Sequence, residues 1–314
     1  MIYSKIIYNK IMNSVLNFDT IVYHSPCSDG ATSLWCANYY KDIHEKIPCK
    51  AGVLPIIDGY YKNILFVDIC PKFDYLLEIS KIAKNIIVLD HHKTTFDTYE
   101  IYKDKCPPNL QIILDISKSG CQITWDYFFQ DKSRPWFVDY VADRDLWAWK
   151  LPNSKEINQI FFDNNLLDPY YLDNITKLLS YSQEQIDEII KEGSLLLKFQ
   201  KKLLDIAVSR SLEATLTIND KIYNIWLGTT TSSDRSDLGN LLANKLLSTG
   251  ILPDFSATWI YEPKENEWWV SLRGHKSSPD LSVIAGVYGG GGHMAASAFS
   301  IKSPQTLRDI FLIK

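Results

Sequence analysis

The chain has 314 residues, a hydrophobic content of 46% and a formal net charge of −4, values typical of a globular protein long enough for two domains. The negative charge argues against a polybasic surface that coats nucleic acid, but it is compatible with a short oligonucleotide bound in a cleft. The six cysteines form no CxxC pair, and no apolar stretch reaches the length of a signal peptide core or a transmembrane helix. We therefore expect reduced thiols and an intracellular, cytoplasmic protein with no membrane partner.

Short apolar strands alternate with helices in the first half of the chain. The predicted strands are 20–24, 51–57, 63–68, 86–90 and 110–115, and the predicted helices are one around 34–37, then 71–84, 119–129 and 135–149. The segment 94–97 is interpreted as a loop. This alternation indicates βαβ units and a mainly parallel, doubly wound α/β sheet over residues 1–150.

The pattern then changes twice. Residues 151–204 lose the strands, and 182–204 has apolar residues at helical spacing, so 151–204 is predicted to be a helical connector. Residues 205–314 contain predicted strands at 221–228, 255–261, 267–274 and 295–301, together with an amphipathic helix at 236–248. This composition predicts a second, smaller α/β domain with a mixed sheet.

Ionisable side chains end three of the predicted strands: His24 ends 20–24 and is followed by Cys27 and Asp29, Asp68 ends 63–68, and Asp90 ends 86–90 and is followed by His91 and His92. The carboxyl ends of parallel strands lie on one edge of a sheet, so these groups come within reach of one another. Carboxylates gathered there raise each other's pKa unless a cation is bound. Two cations about 3.5–4 Å apart need a bridging carboxylate, and Asp68 suits that position. Mixed imidazole and carboxylate ligands favour two Mn²⁺ ions, with Mg²⁺ or Co²⁺ as alternatives.

A run of glycines and a nearby arginine indicate a second functional region. Gly289, Gly290, Gly291 and Gly292 precede His293 and either form an anion nest that presents His293 to a ligand or act as a flexible linker. Arg273 ends a predicted strand, where it is either solvated or clamps a phosphate. His275 is a further candidate, and the segment 117–120 is either a helix N-terminus near a phosphate or only a helix cap.

Five segments in order resemble the DHH phosphoesterase superfamily. "LDHHKT" (89–94) resembles its signature, and "SDGATS" (28–33), "FVD" (66–68) and "VADRDLW" (141–147) resemble its other motifs. The segment 271–299 resembles the associated DHHA1 domain. The resemblance covers most of 20–147 and 221–301 and implies a Mn²⁺-dependent phosphoesterase of the nanoRNase- or exonuclease-like branch. Such an enzyme uses a hydroxide activated by two metals on a short oligonucleotide or a small nucleotide phosphate.

The resemblance also implies roles for individual residues. The implied metal ligands are His24, Cys27, Asp29, Asp68, His91 and either Asp143 or Asp145; the implied catalytic residues are Asp68, Asp90 and His92; and the implied substrate-binding residues are Arg273, His275, His293 and Gly290, Gly291 and Gly292. Asp145 is preferred over Asp143 because it heads the Asp-Leu-Trp run. The family usually has Asp at the position of Cys27. Either Cys27 is a ligand, or His24 and water complete that shell while Cys27 packs in the turn.

Two other functions remain open. One is hydrolysis of inorganic polyphosphate or pyrophosphate with the same metals, and the other is non-catalytic nucleotide binding with a degraded metal site. Tryptophans such as Trp147, Trp268 and Trp269 would favour a nucleotide substrate if they line the cleft, because they stack on bases. Two bound ions indicate an enzyme, whereas one or none indicates a binding protein. A homodimer is compatible with the sequence, which does not determine RNA or DNA preference.

Overall fold

A computed structural model of the protein describes residues 16–58, 60–163, 166–231, 233–302 and 305–313. The chain divides into two compact units, Met1–Leu197 and Lys198–Lys314. Among the described residues, no helix combines the length and the apolar character needed to span a membrane.

The first unit is built on a five-stranded parallel sheet. Its strands are β1 (Thr20–His24), β2 (Glu45–Cys49), β3 (Asn63–Val67), β4 (Asn85–Asp90) and β5 (Leu110–Leu114). Their order is β2-β1-β3-β4-β5, and every neighbouring pair is parallel. Because the chain moves to β2 on one side of β1 and then returns to β3 on the other side, the strand order reverses between β1 and β3. Open α/β sheets bind their ligands at the carboxyl ends of the strands at such a point.

Helices cover both faces of this sheet, as the doubly wound prediction requires. The helices are α1 (Ser28–Tyr40), α2 (Phe73–Ser80), α3 (Lys93–Tyr102), α4 (Gly120–Phe128), α5 (Trp136–Asp145), α6 (Ser154–Asp163), α7 (Leu172–Lys177) and α8 (Gln183–Ser209). Alternate residues of each strand point to opposite faces. Leu65 therefore packs in a core with side chains of α1, α4, α5, α6 and α7. Its neighbours Ile64 and Phe66 pack in a second core with α2 and α3.

Three predicted elements of this unit are wrong. Residues 51–57 contain no strand, and the second strand is β2, which is polar and contains Pro48 because it lies at the sheet edge. Residues 94–97 belong to α3, not to a loop. The helix predicted over 135–149 ends at Asp145, after which Asp143 accepts hydrogen bonds from the backbone of the following turn.

The second unit contains a mixed sheet, as predicted, and in the described residues this sheet has seven strands. Its elements are β6 (Leu212–Ile218), β7 (Lys221–Thr229), α9 (Arg235–Ala243), β8 (Phe255–Glu262), β9 (Glu267–Arg273), α10 (Leu281–Val287), β10 (Gly291–His293), β11 (Ala296–Lys302) and β12 (Phe311–Ile313). The order is β10-β11-β9-β8-β7-β6-β12; β7 and β8 pair in parallel and the other neighbours are antiparallel. Three strands were not predicted: β6, because "LEATLTI" mixes polar and apolar residues, and the three-residue strands β10 and β12.

Candidate metal centre

Asp68 lies directly after β3, at the point where the strand order of the first sheet reverses. Its backbone is in the left-handed region, with φ +56, and its side chain is only 1% exposed. Aspartate tolerates this conformation better than most residues, yet it still costs stability, and such strain clusters at functional sites. Its two carboxylate oxygens face two different histidines: Oδ1 is 3.1 Å from His91 Nε2, and Oδ2 is 3.3 Å from His24 Nδ1.

Three carboxylates surround the Nε2 atom of His91. This nitrogen lies 3.1 Å from Asp68, 3.5 Å from Asp145 and 3.6 Å from Asp29, and the imidazole is buried. Burial alone would lower the pKa of His91, but Asp145, Asp68 and Asp29 outweigh it and raise that pKa to about 10. A proton on His91 therefore supplies positive charge where a bound cation would otherwise supply it.

Asp29 joins the cluster to the N-terminus of α4. It lies in the first turn of α1, and its carboxylate accepts hydrogen bonds from the backbone N–H groups of Gly120 (2.6 Å) and Cys121 (2.8 Å). Burial, followed by repulsion from Asp68 and Asp145, raises the pKa of Asp29 well above its usual range. The first amides of α4 thus bind a carboxylate of the protein itself.

Of the two candidate aspartates on α5, the structure brings Asp145 to the cluster. Its Oδ2 atom is buried and has no hydrogen-bond partner among the described residues, although it lies 3.5 Å from His91 Nε2. The carboxylate of Asp143 instead accepts hydrogen bonds from the backbone N–H groups of Lys150 (2.9 Å) and Leu151 (3.1 Å). Asp143 therefore organises the turn after α5, and Asp145 has an oxygen available for a cation.

Cys27 and His24 lie on the other side of Asp68. Cys27 is the N-cap residue of α1, and its thiol interacts with His24 and with the charge of Asp68. Burial, followed by repulsion from Asp68, raises the pKa of the Cys27 thiol to about 11, with His24 acting in the opposite direction. Without a cation the thiol is protonated at neutral pH, and a metal would have to displace that proton in order to bind the sulfur.

Asp90 lies outside this cluster and holds His92. Its Oδ1 atom is 2.7 Å from His92 Nδ1 and accepts a hydrogen bond from the backbone N–H of His91 at 2.9 Å. Its Oδ2 atom accepts a hydrogen bond from the Thr95 hydroxyl at 2.5 Å. Both oxygens of the fully buried carboxylate are therefore used to fix the turn and the ring of His92.

Among the described residues of the first unit, two groups of side chains could each hold a metal ion. Asp29, Asp68 and His91 form one group, and His24, Asp68 and His92 form the other; within each, the potential ligand atoms lie within 4.8 Å of one another. Asp68 belongs to both groups. Carboxylates and imidazoles are suitable donors for a divalent cation, and the Asp145 oxygen that has no hydrogen bond indicates one more ligand. These buried residues therefore fit a metal ion.

The second unit contains the residues predicted to bind substrate. Arg273 ends β9 and is half-buried; its Nη2 donates to the Ser236 hydroxyl at 2.7 Å and its Nη1 to the Leu272 carbonyl at 2.8 Å. His275 uses both ring nitrogens locally, because Nε2 lies 2.7 Å from the Pro253 carbonyl and Nδ1 accepts from the Ser277 N–H at 3.2 Å. His275 therefore has a structural role in its loop.

The glycine run forms the start of a tight hairpin, which excludes the flexible-linker interpretation. Gly289 and Gly292 have φ values of +76 and +138, in the region that favours glycine. A Cβ atom on Gly290 would lie 2.0 Å from the Ala298 carbonyl oxygen. These glycines allow β10, which ends at His293, to pair closely with β11.

The three tryptophans named from the sequence have different surroundings. Trp268 packs against Trp259 and Tyr261, with ring centroids 5.2 and 4.8 Å away, so it is part of an aromatic cluster. Trp147 has φ +54 and contacts Trp149 edge to face in the turn after Asp145. The third, Trp269, lies beside the Arg235 guanidinium, at 5.7 Å from its carbon to the ring centroid.

Gly120, the last residue of the segment 117–120, shapes the centre through a contact that the sequence did not reveal. A Cβ atom on Gly120 would lie 2.6 Å from Cβ of Asp68, so only glycine lets α4 come this close. The signal was present, since Ser119 forms a capping box with Gln122 and marks the start of α4 at the next residue.

Comparisons with known proteins give one relative of substantial identity. The chain matches no protein-family model. The uncharacterized protein R106 of Acanthamoeba polyphaga mimivirus is 34% identical over 311 residues, covering 92% of this chain and 69% of R106.

Two solved structures resemble the chain more distantly. The pGpG-specific phosphodiesterase PggH of Vibrio cholerae has a TM-score of 0.44 and 15% identity, covering 90% of this chain and 94% of PggH. An exopolyphosphatase-related protein from Bacteroides fragilis has a TM-score of 0.42 and 15% identity, covering 93% of this chain and 89% of that protein. Both TM-scores are below 0.5, so these similarities carry no weight for function.

Proposed function

The chain belongs to the same family as the mimivirus protein R106, and we propose that it is a metal-dependent phosphoesterase acting on short oligonucleotides or small nucleotides. The observation that carries the proposal is the position of Asp68, whose two oxygens face His91 on one side and His24 on the other. A two-metal site needs one carboxylate between its ions. The resemblance of the sequence motifs to DHH phosphoesterases supports the same activity.

The donor set determines how the ions would be held. Asp29, His91 and Asp145 would hold one ion and His24 the other, with Asp68 shared between them. Imidazoles beside carboxylates favour Mn²⁺ over Mg²⁺, which prefers oxygen ligands with retained waters. When bound, such a pair supplies Lewis acidity and lowers the pKa of water, the attacking group in phosphate ester hydrolysis.

His92 is the residue proposed to contact the phosphate that is cleaved. Its side chain is 24% exposed, whereas that of His91 is 1% exposed, so a substrate can reach His92. Asp90 fixes the ring through Nδ1 at 2.7 Å, and Nε2 is the ring nitrogen that we propose contacts a phosphate oxygen. A hydrogen bond from that nitrogen would stabilise the charge that develops during attack.

We also propose that the second unit binds phosphate groups. The planar guanidinium group of Arg273 has donors that suit phosphate. The oxygens that accept its hydrogen bonds, the Leu272 carbonyl and the Ser236 hydroxyl, carry no charge. His293, at the end of the glycine hairpin, is proposed to add a second contact.

Metal analysis combined with a phosphate-release screen tests the proposal. Purified protein is dialysed against Mn²⁺, its metal content is measured, and it is assayed on RNA and DNA dinucleotides, phosphoadenosine phosphate, cyclic dinucleotides, pyrophosphate and polyphosphate. Two ions per chain with hydrolysis of a nucleotide substrate is the expected result. If the protein hydrolyses only polyphosphate or pyrophosphate, its substrate is inorganic and the proposed nucleotide substrate is wrong. One ion or none, with no hydrolysis, would identify a binding protein.

A further inference from the structure

The helix α8 carries a row of exposed apolar side chains, called here the apolar stripe. Its members are Leu195, Phe199, Leu203 and Ile206, which are between 38% and 62% exposed. They follow each other at intervals of four, four and three residues, which places them on one side of the helix. Single exposed apolar residues are common on protein surfaces, but a row of four large ones indicates a binding surface.

The apolar stripe lies on the side of α8 that does not pack against the cores. Ile189 packs in a core of the first unit, and Leu204 and Ala207 pack in a core of the second unit. At about 3.6 residues per turn, these three residues fall on the other side of the helix from the stripe. A helix with one face in a core usually has polar residues on its other face. The stripe therefore calls for a partner.

Charged residues of opposite sign continue the stripe at its two ends. Glu192 lies three residues before Leu195, Arg210 lies four residues after Ile206, and both are exposed. The backbone N–H of Arg210 donates to the Ile206 carbonyl at 3.2 Å, so Arg210 continues the helical turn. At about 1.5 Å per residue, the distance from Glu192 to Arg210 along the axis is about 27 Å. This side of α8 has an acidic end, an apolar middle and a basic end.

Such a surface is complementary to itself when a second copy runs in the opposite direction. With a two-fold axis beside residue 201, Phe199 of each copy faces Leu203 of the other, and Leu195 faces Ile206 in the same way. Glu192 then faces Arg210 at both ends. A parallel pair would instead place Glu192 opposite Glu192 and Arg210 opposite Arg210, where like charges repel. The charges therefore favour the antiparallel arrangement.

The charges beside the stripe are compatible with the same arrangement. In the antiparallel pair, Lys198 of one copy comes beside Asp205 of the other. Asp205 is exposed and bonds to Lys201 of its own chain at 3.0 Å, so it would be shared between two lysines. The two copies of Lys202 come close to the axis. Their exposed, flexible stems allow the ammonium groups to turn apart into water.

We propose that α8 pairs with α8 of a second copy of this chain to form an antiparallel, two-fold symmetric homodimer. The apolar stripes drive association by losing contact with water. The ion pairs of Glu192 with Arg210 contribute less to affinity, because they are exposed, and fix the direction and register of the pair. The pairing uses no residue of the metal centre, so it does not depend on the proposed function.

Sedimentation analysis of the full chain in EDTA, over a range of concentrations, tests the pairing. We expect a reversible equilibrium between monomer and dimer. Phe199→Glu should weaken the dimer at least tenfold, because it places a charge in the apolar middle of both copies. The matched control is Ile56→Glu, which changes an apolar side chain that is 95% exposed and lies in the first unit. It should leave the dimer unchanged.

Charge reversal at the two ends tests the direction and the register. Glu192→Arg alone, or Arg210→Glu alone, should weaken the dimer, since each places like charges opposite each other at both ends. The two substitutions combined should restore it, because each end again joins an acid to a base. Both positions are exposed, so these variants also test the pairing if Phe199→Glu does not fold.

Several results would overturn the homodimer. A monomer at every concentration up to about 100 µM would leave the stripe to a different partner. A dimer that is insensitive to Phe199→Glu, or equally weakened by Ile56→Glu, would place the interface elsewhere. Failure of the double reversal to restore what the single reversals lose would exclude the antiparallel register. Hydrolysis by a monomer would support the proposed function while overturning the homodimer, and a dimer without hydrolysis would do the opposite.

Discussion

Gly120 and Asp68 approach each other so closely that a Cβ atom on the glycine would lie 2.6 Å from Cβ of the aspartate and 2.8 Å from its Oδ1 atom. We expect Gly120→Ala to displace the carboxylate that faces His91 and His24. Overpacking of this kind costs about 1–3 kcal/mol of stability. The affinity for Mn²⁺ should fall at least tenfold, as measured by titration with the metal.

Gly286→Ala is the matched control for this substitution. A Cβ atom there would have no heavy atom within 4 Å, so it should change neither metal affinity nor stability by much. Wild-type Mn²⁺ affinity in Gly120→Ala would show that the carboxylate of Asp68 is not needed where the structure places it.

Removing the carboxylate of Asp68 should abolish both metal binding and hydrolysis, because it is proposed to serve both ions. Asp68→Asn is the cleaner variant, since asparagine also tolerates the left-handed backbone at φ +56. Asp68→Ala should give the same loss with an added cost in stability. Metal content per chain and phosphate release are measured for both, with the exposed Asp131→Ala as control. Two bound Mn²⁺ and full activity in Asp68→Asn would end the bridging assignment.

The metal-free protein should lose stability as pH rises above about 6.5. The folded-state pKa of His91 is raised to about 10. The stability that protonated His91 contributes is therefore fully present below the ordinary pKa of 6.5 and is lost as the pH approaches 10. The raised pKa of Asp29 acts in the same direction at lower pH. In EDTA the melting temperature should fall by several degrees between pH 6.5 and 9.5.

Two comparisons show whether this pH dependence comes from the cluster. Mn²⁺ should reduce the slope, because a bound ion takes over the role of the proton on His91. His91→Asn should also reduce it in EDTA, since asparagine does not titrate in this range. A slope that is the same in the wild type and in His91→Asn would assign the titration to other groups.

The sequence predicted the parts of the site that depend on strand order. The unbroken apolar run before Asp90 and the one before Asp68 identify buried strands, and the carboxyl ends of parallel strands share one edge. These two inferences were enough to predict that Asp68 and His91 lie close together. The exposed residues of α3 hid its helical pattern, and β2 was missed because an edge strand can be polar.

Other features of the site depend on contacts between distant segments, which periodicity does not reveal. Asp143 and Asp145 are two residues apart and look alike in the sequence. They differ because the turn after α5 folds back to give its N–H groups to Asp143. The carboxylate of Asp29 bonds to amides 91 and 92 residues later in the chain. Only tertiary packing decides such pairings.

Asp90→Asn should lower kcat by about 10- to 100-fold while the metal content stays unchanged. Asp90 lies outside the two groups of metal ligands and fixes the ring of His92 at 2.7 Å, so it is expected to position His92. Asp97→Asn, which changes an exposed carboxylate on α3, is the control. A loss of metal in Asp90→Asn would contradict a role limited to His92.

Cys27→Asp tests whether position 27 is a ligand position. The thiol lies beside His24 and Asp68, and its pKa is raised to about 11, so a metal must displace a tightly held proton to bind the sulfur. A carboxylate is a hard oxygen donor that suits Mn²⁺ better. If position 27 faces the ion near His24, the affinity for Mn²⁺ or the Mn²⁺-supported rate should increase, and bound metal should offset the repulsion from Asp68. If Cys27 only packs in the turn, the buried carboxylate should destabilise the protein by several kcal/mol with no effect on metal affinity.

Cys27→Ser is the control, since it keeps the size of the side chain without adding charge. Titration with Mn²⁺ and melting temperatures of the three proteins decide between these outcomes, and a large loss of stability without tighter metal binding would remove Cys27 from the metal centre.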